Sequence, residues 1–577
     1  MTRSSAWGSS GRNASPRGRM ALILLVCMAA TGGRTVSAES RVAVRPPLRV
    51  DHDQRPIPLP KASEVSELYA ILYNSWFRPL NIENHVVNAS DRGSLNVNAW
   101  DEVPDSSWFA NRIGRQPMSF GEVLAGLKGK DPDPGPWKIL RIRDEGYTPK
   151  VDIRDASGAT YVLKFDLPEK PERNSASERI CTLVMHAAGY NVPYNTIVYF
   201  RPRDLALDKD SYYRDALKKR RPMKQADLES LLARLKPRPD GTYRGMASLM
   251  LSGTTLGPFV YTGTRKDDPN DIIPHELRRE LRGMRVIASW INHTDVKDIN
   301  AMDVYVAGDY VKHYMLDFGS TMGSGDFIHG PYRIGHEYIY DGGATSHSLV
   351  TLGFYRRPWE VEGRIAYPEV GYYEAALFEP AKWKPNYPNL AFLRMDDSDA
   401  YWGTKIVTAY SNQVIRSLAE AGDYSRAEVT EYLEDVMLSR RDAIGNYWFD
   451  RITALEDFTL ARSGSGMELC FRDLALERAY ADGGSRSYRV QTMDADGREL
   501  APVTVTRTRH QVVGLPSSKM QGQGSALEDR YGRKPSVRLL IQSNRRDGGW
   551  ALPVEVVLGY SGGSSTIEIL GWYHAPN

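Results

Sequence analysis

Between Trp137 and Gly189 the chain alternates three times and then changes period. "WKILRIR" (137–143), "PKVDIRDASG" (149–158) and "ATYVLKFD" (159–166) each alternate apolar with polar residues around the turn signals "GYTP" and "ASGA". That pattern predicts three strands. "SASERICTLVMHAAG" (175–189) carries its apolar residues at helical spacing, opened by Ser and closed by Gly189, and predicts a helix. "YNTIVYFRP" reads as a further strand. Strands followed by a helix confine this region to an α+β architecture, with helix lying against sheet.

The rest of the 577 residues is enough chain for two to four domains. "ASEVSELYAILYNSWF" (62–77) predicts a helix inside an otherwise extended N-terminal arm. Residues 98–114 read as a loop with Trp100, Trp108 and Phe109 as packing anchors, and "PDPGPW" (132–137) as a boundary. Residues 204–243 read as a charged helical insertion, its "KKRRPMK" a solvated face, and "TRKDDPND" (264–271) as a solvated loop. An amphipathic helix over 273–291 leads into "NHTDVKDIN" (292–300), then a hairpin made of "AMDVYV" and "YVKHYMLDFG". Residues 320–400 are rich in Gly, Tyr and Trp and have little period; helices follow near 404–421 and 425–450. After "RSGSG" (462–466) every segment is a short strand, which predicts a separate β-sandwich over 465–577. Trp550, Trp572 and Tyr573 belong to its core rather than to a sugar platform.

The first 38 residues have a different character. Arg3, Arg12, Arg17 and Arg19 precede the apolar run "MALILLVCMAA", and "VSA" precedes Glu39. Basic, apolar and small-residue regions in that order predict a secretory signal peptide over 1–38. The expected location is therefore periplasmic or extracellular, with no membrane span left after cleavage. Val26 is a poor residue before a lipidated Cys27, so a lipid anchor is the weaker expectation. With Arg34, this leader holds five of the 74 basic residues and no acid; the remainder carries 69 basic against 71 acidic residues. The apparent basicity is the leader's, and nothing in the charge points to nucleic acid. Cys181 and Cys470, 289 residues apart, read as buried thiols. His329, His336 and His347 match no familiar zinc spacing. "GYSGG" (559–563) runs into a strand, "STIEIL", and so is a hairpin turn instead of a nucleophile elbow.

Chemistry concentrates in four pieces: "YVLKFD", "SASERI", "HTDVKDIN" and "LDFG". They place Lys164 at a strand end, Glu178 on the next helix, Asp295 and Asn300 five apart in a loop, and Asp317 17 residues beyond Asn300. In that order, on those elements, they resemble the protein-kinase pattern of strand Lys, helix Glu, Asp–x4–Asn loop and DFG. Residues 138–450 are similar to the atypical kinase families: the HipA-type toxin kinases, the CotH-type spore-coat kinases and the secretory-pathway kinases.

The resemblance implies a two-lobed kinase-like domain over 136–460, with an N-lobe of 136–265 and a C-lobe of 266–460, between an N-terminal extension (39–135) and the sandwich. It implies ATP with Mg²⁺ or Mn²⁺. Lys164 becomes the phosphate contact, Glu178 its partner, Asp295 the base, and Asn300 and Asp317 the metal ligands. No G-x-G-x-x-G precedes Lys164, so Gly146, Thr148 and Lys150 of "DEGYTPK" are the phosphate-loop candidates. Thr294 stands where kinases carry an Arg before the catalytic Asp, and Asp298 is a rival acid in the same loop. His293 is a scaffold residue by the same pattern. The implied activity is phosphoryl transfer to a protein or glycan hydroxyl. Alternatives are a catalytically silent kinase-fold binding module and AMP transfer on the same fold. The scarcity of ATP outside the cytoplasm favours the silent module; five intact polar positions favour an enzyme.

Overall fold

The structure is a computed structural model that describes residues 52–78, 93–143, 148–214, 219–325, 333–463, 466–494, 497–507, 512–515, 535–560 and 567–574. The leader (1–38), Gly146 and His329 lie outside the described residues. All described residues belong to one unit, Arg45–Asn577.

The alternating region forms a seven-stranded mixed sheet in the order β4-β7-β3-β2-β1-β5-β6. Its strands are β1 (Trp137–Arg143), β2 (Lys150–Arg154), β3 (Thr160–Phe165), β4 (Asn195–Phe200), β5 (Leu205–Arg214), β6 (Arg220–Pro222) and β7 (Tyr243–Leu249). In β3, Tyr161, Leu163 and Phe165 point into an apolar core capped by Leu228 and Leu231 of the helix Gln225–Ala233. A strand has a period of two, so Lys164 must face the other way. There lies the helix Arg173–Ala188, almost wholly buried, which ends at Gly189 with φ 127. The Ser expected to open this helix does not cap it: the helix begins at Arg173, and the Ser175 hydroxyl donates to Asp166 at 2.5 Å.

The supposed helical insertion at 204–243 carries two strands and one α-helix. β5 pairs in parallel with β1 and antiparallel with β6, and Gln225–Ala233 is the α-helix among the described residues of this stretch. In "LALDKDSYYR" the alternation of Leu205, Leu207 and Tyr213 toward the core is masked by the charges between them.

The second lobe is built on the helix Arg279–Trp290 and a three-stranded sheet: β8 (Thr254–Gly257), β9 (Ala301–Val306) and β10 (Tyr310–Met315). The helices Asp397–Val407, Asn412–Glu420 and Ala427–Arg451 complete its core. The run 264–271 is a loop, but only part of it is solvated: Lys266, Asp267 and Pro269 are exposed, and its other end is buried. Asp271 accepts from His275 Nε2 at 2.8 Å, and Asp268, Asn270 and Asp271 are each at most 5% exposed.

The N-terminal extension belongs to this lobe. Trp108, Phe109 and Ile113 enter the main core, and the Trp108 ring stacks on His313 at 3.6 Å. Further upstream the arm runs along the hairpin, Ile57 N donating to Asp309 O at 2.7 Å and Ser63 N to Leu256 O at 2.7 Å. Gly257, at φ 94, lies so close that a Cβ would stand 1.9 Å from Ser63 O. Only glycine admits that approach. The arm then delivers the helix Glu67–Leu72, continued by a π-helical turn Tyr73–Phe77.

The C-terminal strands are β11 (Leu455–Ser463), β12 (Gly466–Asp473), β13 (Tyr488–Asp494), β14 (Glu499–Thr506), β15 (Val512–Leu515), β16 (Pro535–Ser543), β17 (Val554–Tyr560) and β18 (Ile567–His574). They form sheets β11-β12-β15 and β14-β13-β16-β17-β18 that share one apolar core. Trp572 is in that core, and β17 and β18 pair antiparallel across "GYSGG". β11 starts three residues after the long helix ends, so the sandwich begins earlier than "RSGSG" suggests. The chain is α+β: a region of two lobes, one on the seven-stranded mixed sheet and one mostly helical, with antiparallel sheets after it. Among the described residues no helix is long and apolar enough to cross a membrane.

Candidate active site

Lys164 leaves β3 on the face opposite the sheet core and meets the second turn of the helix Arg173–Ala188. Its Nζ lies 3.1 Å from both Glu178 carboxylate oxygens and 3.1 Å from Asp317 Oδ1. Glu178 is also held by Asn195 Nδ2 at 3.2 Å. Burial works against the Lys164 charge, but Asp317 and Glu178 outweigh it and raise its pKa. Lys164, with Lys150 behind it, holds the Asp317 carboxyl well below the usual carboxylate range. Burial, by contrast, raises the Glu178 pKa, against the pull of Lys164.

Lys150 is the direct cross-strand partner of Lys164 in the β2–β3 register. Two ammonium groups directly opposite one another repel, and burial lowers the pKa of Lys150 further. This pair of cations is stable only beside anions. Asp317 and Glu178 supply some of that charge, and a polyphosphate would supply more.

The loop "NHTDVKDIN" comes from the C-terminal end of Arg279–Trp290. His293 N donates to Ala288 O at 2.8 Å, and its ring packs edge-on against Phe318. Burial pushes the His293 imidazole down to about 4, so it is a neutral scaffold residue. Asn300 Nδ2 donates to Asp295 Oδ2 at 3.0 Å and to Asp295 O at 2.8 Å. Its amide oxygen is therefore the atom left for a cation. Leu316 N donates to Asn300 O at 2.9 Å, which fixes Asp317 against the loop. Asp317 takes φ 58, a left-handed conformation that costs an aspartate about 1–3 kcal/mol and persists where the surroundings enforce it.

Asp295 and its rival Asp298 face different ways. Asp295 lines a cleft of about 700 Å³ together with Thr148, Lys150, Lys164, Asn300 and Asp317. Asp298 accepts from Tyr261 N at 3.1 Å and lines a separate hollow beside Arg78. Of the two, Asp295 is the one that shares the cleft with Lys164, Asn300 and Asp317. Burial raises its pKa, and Lys297 pulls against that.

Two residues of this cleft went unassigned in the sequence. Lys297 Nζ bridges Asp295 Oδ1 at 3.0 Å and Glu67 Oε1 at 2.7 Å. Its place two residues after Asp295 was a usable signal. Glu67, on the N-terminal helix, had none, because nothing local ties it to a loop 230 residues away. Asn174, whose Nδ2 donates to Gly319 O at 2.9 Å, also lines the cleft.

The donor set fits a hard divalent cation. Among the described residues no group of three His, Cys, Asp or Glu side chains is arranged to hold a metal ion. Asp317 and the Asn300 oxygen thus leave most of the coordination to water and phosphate, as Mg²⁺ prefers. His336 and His347 are engaged with aromatic rings, His336 with Trp359 and Tyr372, His347 with Tyr355. Cys181 is buried against Thr321, and Cys470 is half-buried; both are free thiols.

No family model matches the chain, and no curated protein does. Among solved structures it is similar to the Helicobacter pylori proinflammatory kinase CtkA, with 11% identity, 52% of this chain and 94% of that one covered, and a TM-score of 0.27. It is also similar to the Golgi casein kinase with Mn/ADP bound, with 12% identity, 68% and 94% covered and a TM-score of 0.27. A second structure of the Golgi casein kinase gives 10%, 68%, 94% and 0.26.

Proposed function

We propose that this chain is an exported phosphotransferase that uses ATP with Mg²⁺ or Mn²⁺ and modifies a hydroxyl on a protein or glycan. The observation that carries the reading is the pair Lys150–Lys164, abreast on one face and ringed by Glu178, Asp317, Asn300 and Asp295. Such a group suits a polyphosphate and a divalent cation together, and phosphoryl transfer needs little more than positioning and charge stabilisation.

In this reading Lys164, oriented by Glu178, binds the phosphates, and Lys150 and Thr148 close over them. Asp317 and the Asn300 oxygen hold the cation, which supplies charge neutralisation on the phosphate oxygens. Asp295 takes the acceptor's proton on the oxygen facing the cleft. Asn300 and Lys297 fix that carboxylate, and the raised pKa makes it a better base than an exposed aspartate.

Thermal melting with ATP and Mg²⁺ or Mn²⁺ tests this directly. Nucleotide at 100 times its Kd stabilises a protein by about 2.7 kcal/mol. The shift is expected in the wild type, dependent on the metal, and absent in Asp317→Ala. A well-folded wild type that shifts with no nucleotide would refute the proposal.

Glu67 gives a second, smaller expectation. Its carboxylate places an extra anion on Lys297 at the edge of a cleft meant for phosphates. Partly exposed ion pairs are worth roughly 0.2–1 kcal/mol. Glu67→Gln should therefore tighten nucleotide binding about two- to fivefold, measured by calorimetric titration. Weaker binding would mean that Glu67 positions Lys297 instead of competing for it.

A further inference from the structure

The segment that follows the second lobe's small sheet carries a feature the proposed chemistry does not use. In the helix Gly342–Val350 no residue is buried. At its C-terminal end Leu349, Val350, Leu352 and Phe354 are 70, 83, 81 and 88% exposed, with Tyr355 beside them. Isolated exposed apolar residues are ordinary; four of the largest exposures in six positions are not.

The turn is also built for an apolar medium. Thr351 N donates to His347 O, Leu352 N to Leu349 O, Gly353 N to Ser348 O and Phe354 N to Thr351 O, all within 3.1 Å. Four consecutive N–H groups are satisfied inside the turn, which removes four donors that would otherwise hold it in water. Leu352 sits at φ 51, where glycine would relieve strain. The fold gains no buried contact in return.

We propose that the tip 349–355 is a docking surface for an anionic lipid bilayer. From Gly342 to Trp359 there is no Asp or Glu, whereas His347, Arg356 and Arg357 are basic. Arg357 is engaged with Glu337 and Glu360. Arg356 is exposed beside the apolar tip, where lipid phosphates would lie. Side chains this exposed project as a convex wedge. A second copy of the chain would need about 800 Å² per partner for a stable interface, more than a seven-residue tip provides. A bilayer accepts such a wedge at any orientation around its axis. This inference is independent of phosphoryl transfer.

The test is hydrogen exchange read by mass spectrometry on the full chain, alone and with vesicles of phosphatidylcholine or of phosphatidylcholine with phosphatidylglycerol. Peptide resolution separates the tip from the apolar run near residue 25. Slowed exchange over 349–355 with the anionic vesicles is expected. It should weaken as salt rises, and fall about tenfold or more in the double variant Leu352→Asp/Phe354→Asp, at an unchanged melting temperature. Exchange at the tip that ignores both vesicles would overturn the proposal, as would equal protection in the double variant. Protection that depends on protein concentration without lipid would overturn it too, and assign the tip to a second copy.

Discussion

Asp295→Asn is expected to lower the rate of ATP turnover to ADP by about 10²–10⁴-fold, the span that a positioned general base contributes. The nucleotide-dependent thermal shift should survive, because Asp295 reaches the cleft from the acceptor side while Lys164, Lys150 and Asp317 gather on the phosphate side. The asparagine keeps the shape and still accepts from Asn300, but it has no charge for Lys297 and takes no proton. Asp298→Asn is the matched control. Asp298 faces Tyr261 N and the Arg78 hollow, so its loss should change turnover by less than about threefold, the scale of a perturbation that touches no reacting group. If the two variants lose the same activity, the loop acts as a structural unit and Asp295 is not the base. The pH profile adds an independent readout. Burial raises the Asp295 pKa above that of a free aspartate. The acidic limb of the wild-type rate should therefore lie at higher pH than an exposed carboxylate would give, with activity falling as the pH drops through it. Asp295→Asn should lose that limb.

What the sequence made legible was local. Strands over 137–165 could be read because Tyr161, Leu163 and Phe165 alternate with polar neighbours, and the same alternation dictated that Lys164 points away from the core. The Asp295 loop and the hairpin after it were readable for similar reasons: an amphipathic helix stops, polar residues cluster, and alternation resumes. The pairing of Lys150 with Lys164 was not readable. It depends on register between β2 and β3, and a shift of one residue would turn Lys150 to the other face. β5 was lost because charged side chains on its solvent face resembled a helical insertion. Asp268 and Asp271 were misread for the opposite reason. His275 and Arg278 pair with Asp271 and bury that end of a charged run, and composition alone reports only a solvated loop. The N-terminal extension is the clearest case: its contacts span hundreds of residues, beyond any periodicity.

That extension is where the largest stability effect is expected. Arg279, 1% exposed, donates to Asp101 Oδ1 at 2.7 Å and to Asp101 O at 2.8 Å, and it lies 3.2 Å from Asp399 Oδ1. The other oxygen of Asp101 accepts from His574 N at 3.0 Å and Nδ1 at 2.8 Å, and the His574 ring stacks on Tyr401 at 3.7 Å. One buried cluster therefore joins the extension, the helix that feeds the Asp295 loop, the helix Asp397–Val407 and the last strand of the sandwich. Against the cost of burial, Arg279 and His574 hold the Asp101 carboxyl well below its usual range. Its contribution to stability is complete above the unfolded carboxylate pKa and is lost as the pH falls through the depressed folded value. Arg279→Ala leaves the buried Asp101 with only His574 and the buried Asp399 with only Arg282, and removing one partner of a buried pair costs about 3–5 kcal/mol. The expected result in urea unfolding is one transition at a lower midpoint, carrying extension, lobe and sandwich together. Two separated transitions, or a loss below about 1 kcal/mol, the range of an exposed pair, would mean that the sandwich stands alone and the cluster is only a contact. A single shifted transition would instead make residues 93–115 a structural part of the second lobe, so removing them as a dispensable leader would take the Asp295 loop with them.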